Sequence, residues 1–166
     1  DCYGNASSVH TFGQSAKALL DDARASVAAL LGAQPAEIVF TGGGTESDNL
    51  AIRGAAGVSS PNGRRHLIAS TIEHEAVLNT IKDLTLHGWT ATYLPVGASG
   101  IVNPSDLETA ITDQTALVSV MHANNEIGTL QPITELASIA HTHGALFHTD
   151  AVQTAGKYPV SASELG

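Results

Sequence analysis

The sequence predicts an α/β domain built on a mostly parallel sheet with helices on both faces. Three observations predict it. Strand-like and helix-like segments alternate along most of the chain. Several strand-like segments, Ala116–His122 (ALVSVMH) above all, are apolar at successive positions, as strands covered on both sides are. The 166 residues, 43% of them hydrophobic, suffice for one domain with a proper core, taken as a single unit over 1–166.

In chain order, Ala16, Leu19, Leu20, Ala23, Val27, Leu30 and Leu31 recur at helical spacing, and Gly32 supplies the stop. Glu37–Thr41 (EIVFT) is a short β-rich run and reads as the first strand. Gly42-Gly43-Gly44 follows, and Thr45 opens a helix to about residue 56. The stretch 54–65 is the most loop-like. His66–Ser70 reads as the second strand, 75–87 as a helix and Thr90–Val96 as the third strand. Asn103 followed by Pro104 pairs an N-cap residue with a first-turn proline, which predicts a helix over 104–111. Ala116–His122 is the fourth strand, 133–143 a helix and Ala145–Asp150 the fifth strand.

Seven Lys+Arg against sixteen Asp+Glu leave a net charge of −9, which repels phosphate backbones and argues against nucleic-acid binding. Backbone N–H groups can still hold a small anion. Cys2 is the one cysteine, so the chain forms no internal disulfide, and the usage fits a reducing, cytoplasmic compartment. No apolar run approaches the roughly 18 residues of a membrane helix, so no membrane partner is expected. No signal peptide is visible, and the opening residues look cut from a longer chain. Charged residues make up only 14%, which suggests that much of the polar surface is Ser, Thr, Asn, Gln and His, with cover by other protein as the alternative.

Ligands of open α/β sheets bind beyond the carboxyl ends of the strands. Polar groups gather at those ends here: Gly42 to Thr45, then Glu73 and His74, then Asn124, Asn125 and Glu126, then Asp150 with Gln153 beyond it. Convergence of four strand ends on one rim says more than any single motif. The glycines let a ligand approach the backbone, and the helix starting at Thr45 offers free N–H groups and a partial positive charge, together an anion site. A flexible turn with a capping threonine is the plain alternative. Asp150 reads either as a turn former or as a carboxylate facing a protonated ring nitrogen. Taken singly, His74 reads as a structural histidine, Asn124-Asn125 as a turn, and Gln153 as uninformative. The eight histidines show no metal-ligand spacing, so no metal is expected. No G-x-S-x-G elbow is present for a serine nucleophile.

Four stretches resemble the cysteine desulfurases of the class V aminotransferase group: FTGGGTESDNLAI (40–52), IEHEAVLNT (72–80), SVMHANNEIGTLQPI (119–133) and GALFHTDAVQTAGKYPV (144–160). GNASSVHTFGQSAK (4–17) is similar to the family's segment before its early helix, and NNEIGT resembles the NifS/IscS-type branch. The resemblance implies part of the large domain of a fold-type I enzyme that uses pyridoxal 5'-phosphate to take sulfur from L-cysteine. It implies Gly43, Gly44 and Thr45 at the cofactor phosphate, His74 stacked on the ring as the catalytic residue, Asn125 and Gln153 on the ring's oxygen side, and Asp150 at the ring nitrogen. It also implies a homodimer and a sulfur-acceptor or scaffold protein. The family's Schiff-base lysine and persulfide cysteine match no residue here: neither Lys17, Lys82 nor Lys157 falls at the first position, nor Cys2 at the second. A polypeptide of these residues alone is therefore expected not to turn over cysteine. A non-catalytic protein of the same fold, a selenocysteine lyase and an aminotransferase are the alternatives.

Overall fold

Helix α1 (Thr11–Leu31) starts where the His10 imidazole accepts the Gly13 N–H, and it ends at Gly32, whose φ of 62° lies in the left-handed region that favours glycine. The computed structural model describes residues 3–166, so Cys2 lies outside the described residues. The apolar stripe of α1 forms as its spacing predicts but is not buried within this chain: Leu19 is 58% and Leu30 57% exposed.

The predicted strand Glu37–Thr41 does not form. Residues Pro35–Glu37 make one 3-10 turn, the Ile38 N–H turns back to the Pro35 carbonyl, and Val39 and Phe40 stay exposed. A strand needs a neighbour to receive its hydrogen-bond ladder, and no strand pairs with this run among the described residues. The Arg24 guanidinium covers the Phe40 ring at 5.2 Å instead.

The remaining elements follow the predicted alternation: α2 (Gly44–Ser59), β1 (His66–Ser70), α3 (Glu75–Leu86), β2 (Thr90–Leu94), α4 (Pro104–Ala110), β3 (Thr115–Ser119), α5 (Ile133–Thr142), β4 (Leu146–His148) and α6 (Ala162–Leu165). Helix α2 runs past the predicted end, so only the last part of the expected loop 54–65 is irregular. Asn103 caps α4 by accepting the Ser105 N–H, as the Asn-Pro pair predicts. The four strands form one fully parallel sheet in the order β2-β1-β3-β4. Beyond β3 the pairing persists in single bonds, because the Val120 and His122 N–H groups donate to the His148 and Asp150 carbonyls.

Both sheet faces are buried, which explains the doubly apolar strands. Leu67, Ala69 and Leu117 pack with Ile52 and Ala56 of α2 and Val77, Ile81 and Leu84 of α3. Ile68, Val118 and Val120 pack on the other face with Leu107 of α4 and Ile133, Leu136 and Ala140 of α5. The β1–β3 register slips between His66 and Leu67, which pair with Thr115 and Leu117. Ala116 is thereby left over as a bulge. At the amino end of the sheet the Arg64 guanidinium donates to the carbonyls of Thr115, His143 and Gly144, tying a loop to β3 and to the α5–β4 turn.

Ile68 lies on an interior strand with no exposed surface. Ile68→Ala should lower the unfolding free energy by about 3 kcal/mol through lost burial and a cavity. Urea denaturation checks this, read as a lower midpoint at unchanged slope.

Candidate functional site

Parallel pairing sends every strand's carboxyl end to one rim, and the polar residues meet there. A cavity of about 270 Å³ is lined by Gly44 and Thr45, by Asp48, by His74, by Met121 and Asn125, and by Asp150, Val152 and Gln153. Six of the seven residues singled out from the sequence thus share one cavity. Gly43 lines an adjoining cleft with Gly42, Gly44 and Thr45. Asp48, Met121 and Val152 are additions: they fall within the resembling stretches but carry no expected role there.

The glycine turn leaves its backbone bare. A Cβ placed at Gly43 or Gly44 would meet nothing within 4 Å, so packing inside the chain does not require glycine there. Their value is open access to the first turn of α2, whose leading N–H groups have no intrahelical acceptor. The turn is held from below: the Glu46 carboxylate accepts the Gly42 N–H, and the Thr41 and Ser47 hydroxyls share a hydrogen bond of 2.7 Å.

His74 is both a structural and a cavity residue. Its Nδ1 accepts the Ala76 N–H at 3.1 Å and caps α3. The neutral ring therefore carries its proton on Nε2. The two asparagines divide the work. Buried Asn124 accepts the Glu126 and Ile127 N–H groups on Oδ1 and donates from Nδ2 to the Ile72 carbonyl, which pins its turn to the loop after β1. Asn125 is left facing the cavity. At Asp150 the turn reading and the ligand reading coexist. One carboxylate oxygen accepts the Val152 N–H at 2.9 Å, and Oδ2 remains for a partner in the cavity.

Glu73 sits beneath this rim. It is 6% exposed, its Oε1 accepts the Met121 N–H at 2.8 Å and the Ser70 hydroxyl, and its buried Oε2 has no partner. Burial pushes its carboxyl up from the ordinary 4.5 to about 7, against the pull of the Ser70 and Met121 hydrogen bonds and of His148, with the Asp150 charge adding to the rise. Burial likewise lowers His66 and His122. The His122 Nδ1 meets the Thr154 hydroxyl at 2.8 Å.

Because the folded carboxyl holds its proton more tightly than the unfolded one, Glu73 favours the folded state most at acid pH. That stability is full below about pH 4.5 and is lost as pH rises through about 7. Glu73→Gln should remove a decline on the order of 3 kcal/mol over this window. Unfolding free energies at pH 5 and pH 8 check it: their difference should shrink in the variant relative to wild type.

The chain matches the aminotransferase class-V family model over residues 1–166. It is 49% identical over 164 residues to the cysteine desulfurase IscS of Dictyoglomus turgidum, covering 99% of this chain and 41% of that protein. The fold superposes on a NifS-like protein with a TM-score of 0.94 at 41% identity, over 99% of this chain and 46% of that one. SspA, solved in complex with cysteine, gives the same TM-score and identity, over 99% of this chain and 47% of SspA. The chain thus spans less than half the length of these relatives. With a family match over residues 1–166 and a fold that superposes on these structures, the chain belongs to the class-V aminotransferase family.

Proposed function

We propose that this chain is the cofactor-holding part of the large domain of a cysteine desulfurase that binds pyridoxal 5'-phosphate and acts on L-cysteine. One observation carries the reading: a single cavity is lined by Gly44 and Thr45 at the start of α2, by Asp150 after β4, and by His74. A phosphorylated pyridine has matching ends. The open space at Gly43 and Gly44 leaves the turn accessible to a phosphate. The Asp150 oxygen not engaged by Val152 can face a ring nitrogen. The residues present fit the group.

In this reading Gly43, Gly44 and Thr45 bind the phosphate through backbone N–H groups and the helix dipole. His74, its orientation fixed by the Ala76 N–H, shields the ring face from water and is the residue of this chain placed to act on the substrate side. Asn125 and Gln153 orient the ring's oxygen edge. Asp150 keeps a proton at the ring nitrogen through charge and hydrogen bonding. The bound cofactor supplies an electron sink for a carbanion at the substrate. Lys17 and Lys82 lie on α1 and α3, and neither they nor Lys157 line the cavity. By the resemblance, the anchoring lysine and the sulfur-carrying cysteine match no residue of this chain. The relatives' names support L-cysteine as substrate. A homodimer, a protein acceptor for the sulfur, and a cytoplasmic setting complete the proposal. No helix among the described residues is long and apolar enough to cross a membrane.

In the full-length protein, Asp150→Ala should weaken pyridoxal 5'-phosphate binding about tenfold to a hundredfold, the worth of one charge-assisted hydrogen bond. Absorbance titration reads it, and an unchanged titration would remove Asp150 from the site. The same protein should yield alanine and sulfide from L-cysteine in the presence of a thiol. Failure of the cofactor-loaded protein to do so would overturn the desulfurase reading.

A further inference from the structure

The two ends of the cavity sit on different elements. The glycine turn leads into α2, and Asp150 follows β4. Between them lies a polar contact inside an otherwise apolar face. The His148 imidazole stands between Asp48 of α2 and Ser119 of β3, with Nε2 at 3.6 Å from the Asp48 carboxylate and Nδ1 at 2.8 Å from the Ser119 hydroxyl. Asp48 and Ser119 are buried, and the His148 side chain is 14% exposed. Ser119 and His148 are register partners across the β3–β4 pair, so both side chains leave the sheet on the side that α2 covers.

The placement of this contact is the informative part. Asp48 is one turn beyond Gly44, about 6 Å along the helix. His148 is the last residue of β4 and stands two residues before Asp150, about 7 Å along an extended chain. The ring therefore spans from the helix that follows the glycine turn to the strand that leads into Asp150. At 3.6 Å the Asp48 contact is an approach rather than a formed hydrogen bond, and it is attractive when Nε2 carries a proton, because a carboxylate only accepts. The Ser119 hydroxyl can donate to a bare Nδ1 or accept from a protonated one, so the line of contacts survives both states. A buried Asp or His without its partner is costly, which favours one fixed arrangement over many loose ones.

We propose that Asp48, His148 and Ser119 form a buried brace that sets the distance between the glycine turn and Asp150, and so tunes the cavity for a ligand with an anion at one end and a ring nitrogen at the other. The proposal rests on the reading given under the preceding heading. These are positioning residues: they act on the two binding elements, and of the three only Asp48 also lines the cavity. A ligand that touches both ends feels the spacing, whereas one that touches a single end does not.

The test uses the full-length protein and two probes, pyridoxal 5'-phosphate by absorbance titration and inorganic phosphate by calorimetry. His148→Gln should weaken pyridoxal 5'-phosphate about tenfold and leave phosphate within about twofold. Adding Asp48→Asn to His148→Gln should cost little more than His148→Gln alone, because the two sever one contact. Equal losses for both probes, or no loss for either, would overturn the brace. Wild-type protein that fails to bind pyridoxal 5'-phosphate would instead sink the cofactor reading. Should His148→Gln not fold, imidazole nitrogen NMR of the wild type decides without any ligand. The brace requires a proton on Nε2 of His148, and a bare Nε2 contradicts it.

Discussion

Parallel pairing of β1 with β3 is the constraint on which the rest of the molecule depends. It makes these two strands the interior of the sheet, obliges helices to cover both faces, and delivers the loops after both strands to the same rim. The Glu73 carboxyl closes that pairing at its far end, joining Ser70 at the end of β1 to the Met121 N–H beyond β3. Asn124 repeats the link one turn further out through the Ile72 carbonyl. His74 and Asn125, the residues directly after these two clamps, are the ones that face the cavity.

The site is assembled from residues that each satisfy an ordinary structural need. His74 caps a helix, Asp150 closes a turn, and Glu46 supports the glycine backbone. These local bonds use one acceptor and leave the remaining faces and oxygens free, so the binding groups arrive already oriented. Preorganisation of this kind reduces the ordering cost of binding. Burial raises the Glu73 carboxyl to about 7 even with two donors on its Oε1, which lessens the negative charge beneath Asp150.

Much of this was legible in the sequence, for reasons that particular residues make clear. The helices after Gly44, Glu75, Pro104 and Ile133 carry caps or strong periodicity, signals contained within each segment. Val118 and its neighbours announce a strand covered on both sides because the run Ala116–His122 is apolar at all but Ser119 and His122. Glu37–Thr41 carries the composition of a strand, but strand formation also needs a partner edge, and composition does not say whether one is at hand. His74, Asn125 and Asp150 are legible because strand ends follow from strand positions, whereas Gly44 and Thr45 are legible only from the glycine run and the helix start, since the strand predicted before them does not form. Asp48 was missed because an acidic residue in the first turns of a helix looks like a dipole partner. Its contact with His148 joins distant parts of the chain and exists only in the fold. Glu73 was visible as a polar group at a strand end, but its burial, its two donors and its raised pKa come from β3 packing beside it.

A crystal structure of the full-length protein with pyridoxal 5'-phosphate addresses the central claim most directly. The account predicts the phosphate against the Gly44 and Thr45 N–H groups, the ring alongside His74, and the ring nitrogen on the Asp150 carboxylate. A phosphate seated away from the glycine turn, or an Asp150 side chain turned from the ring, would contradict it.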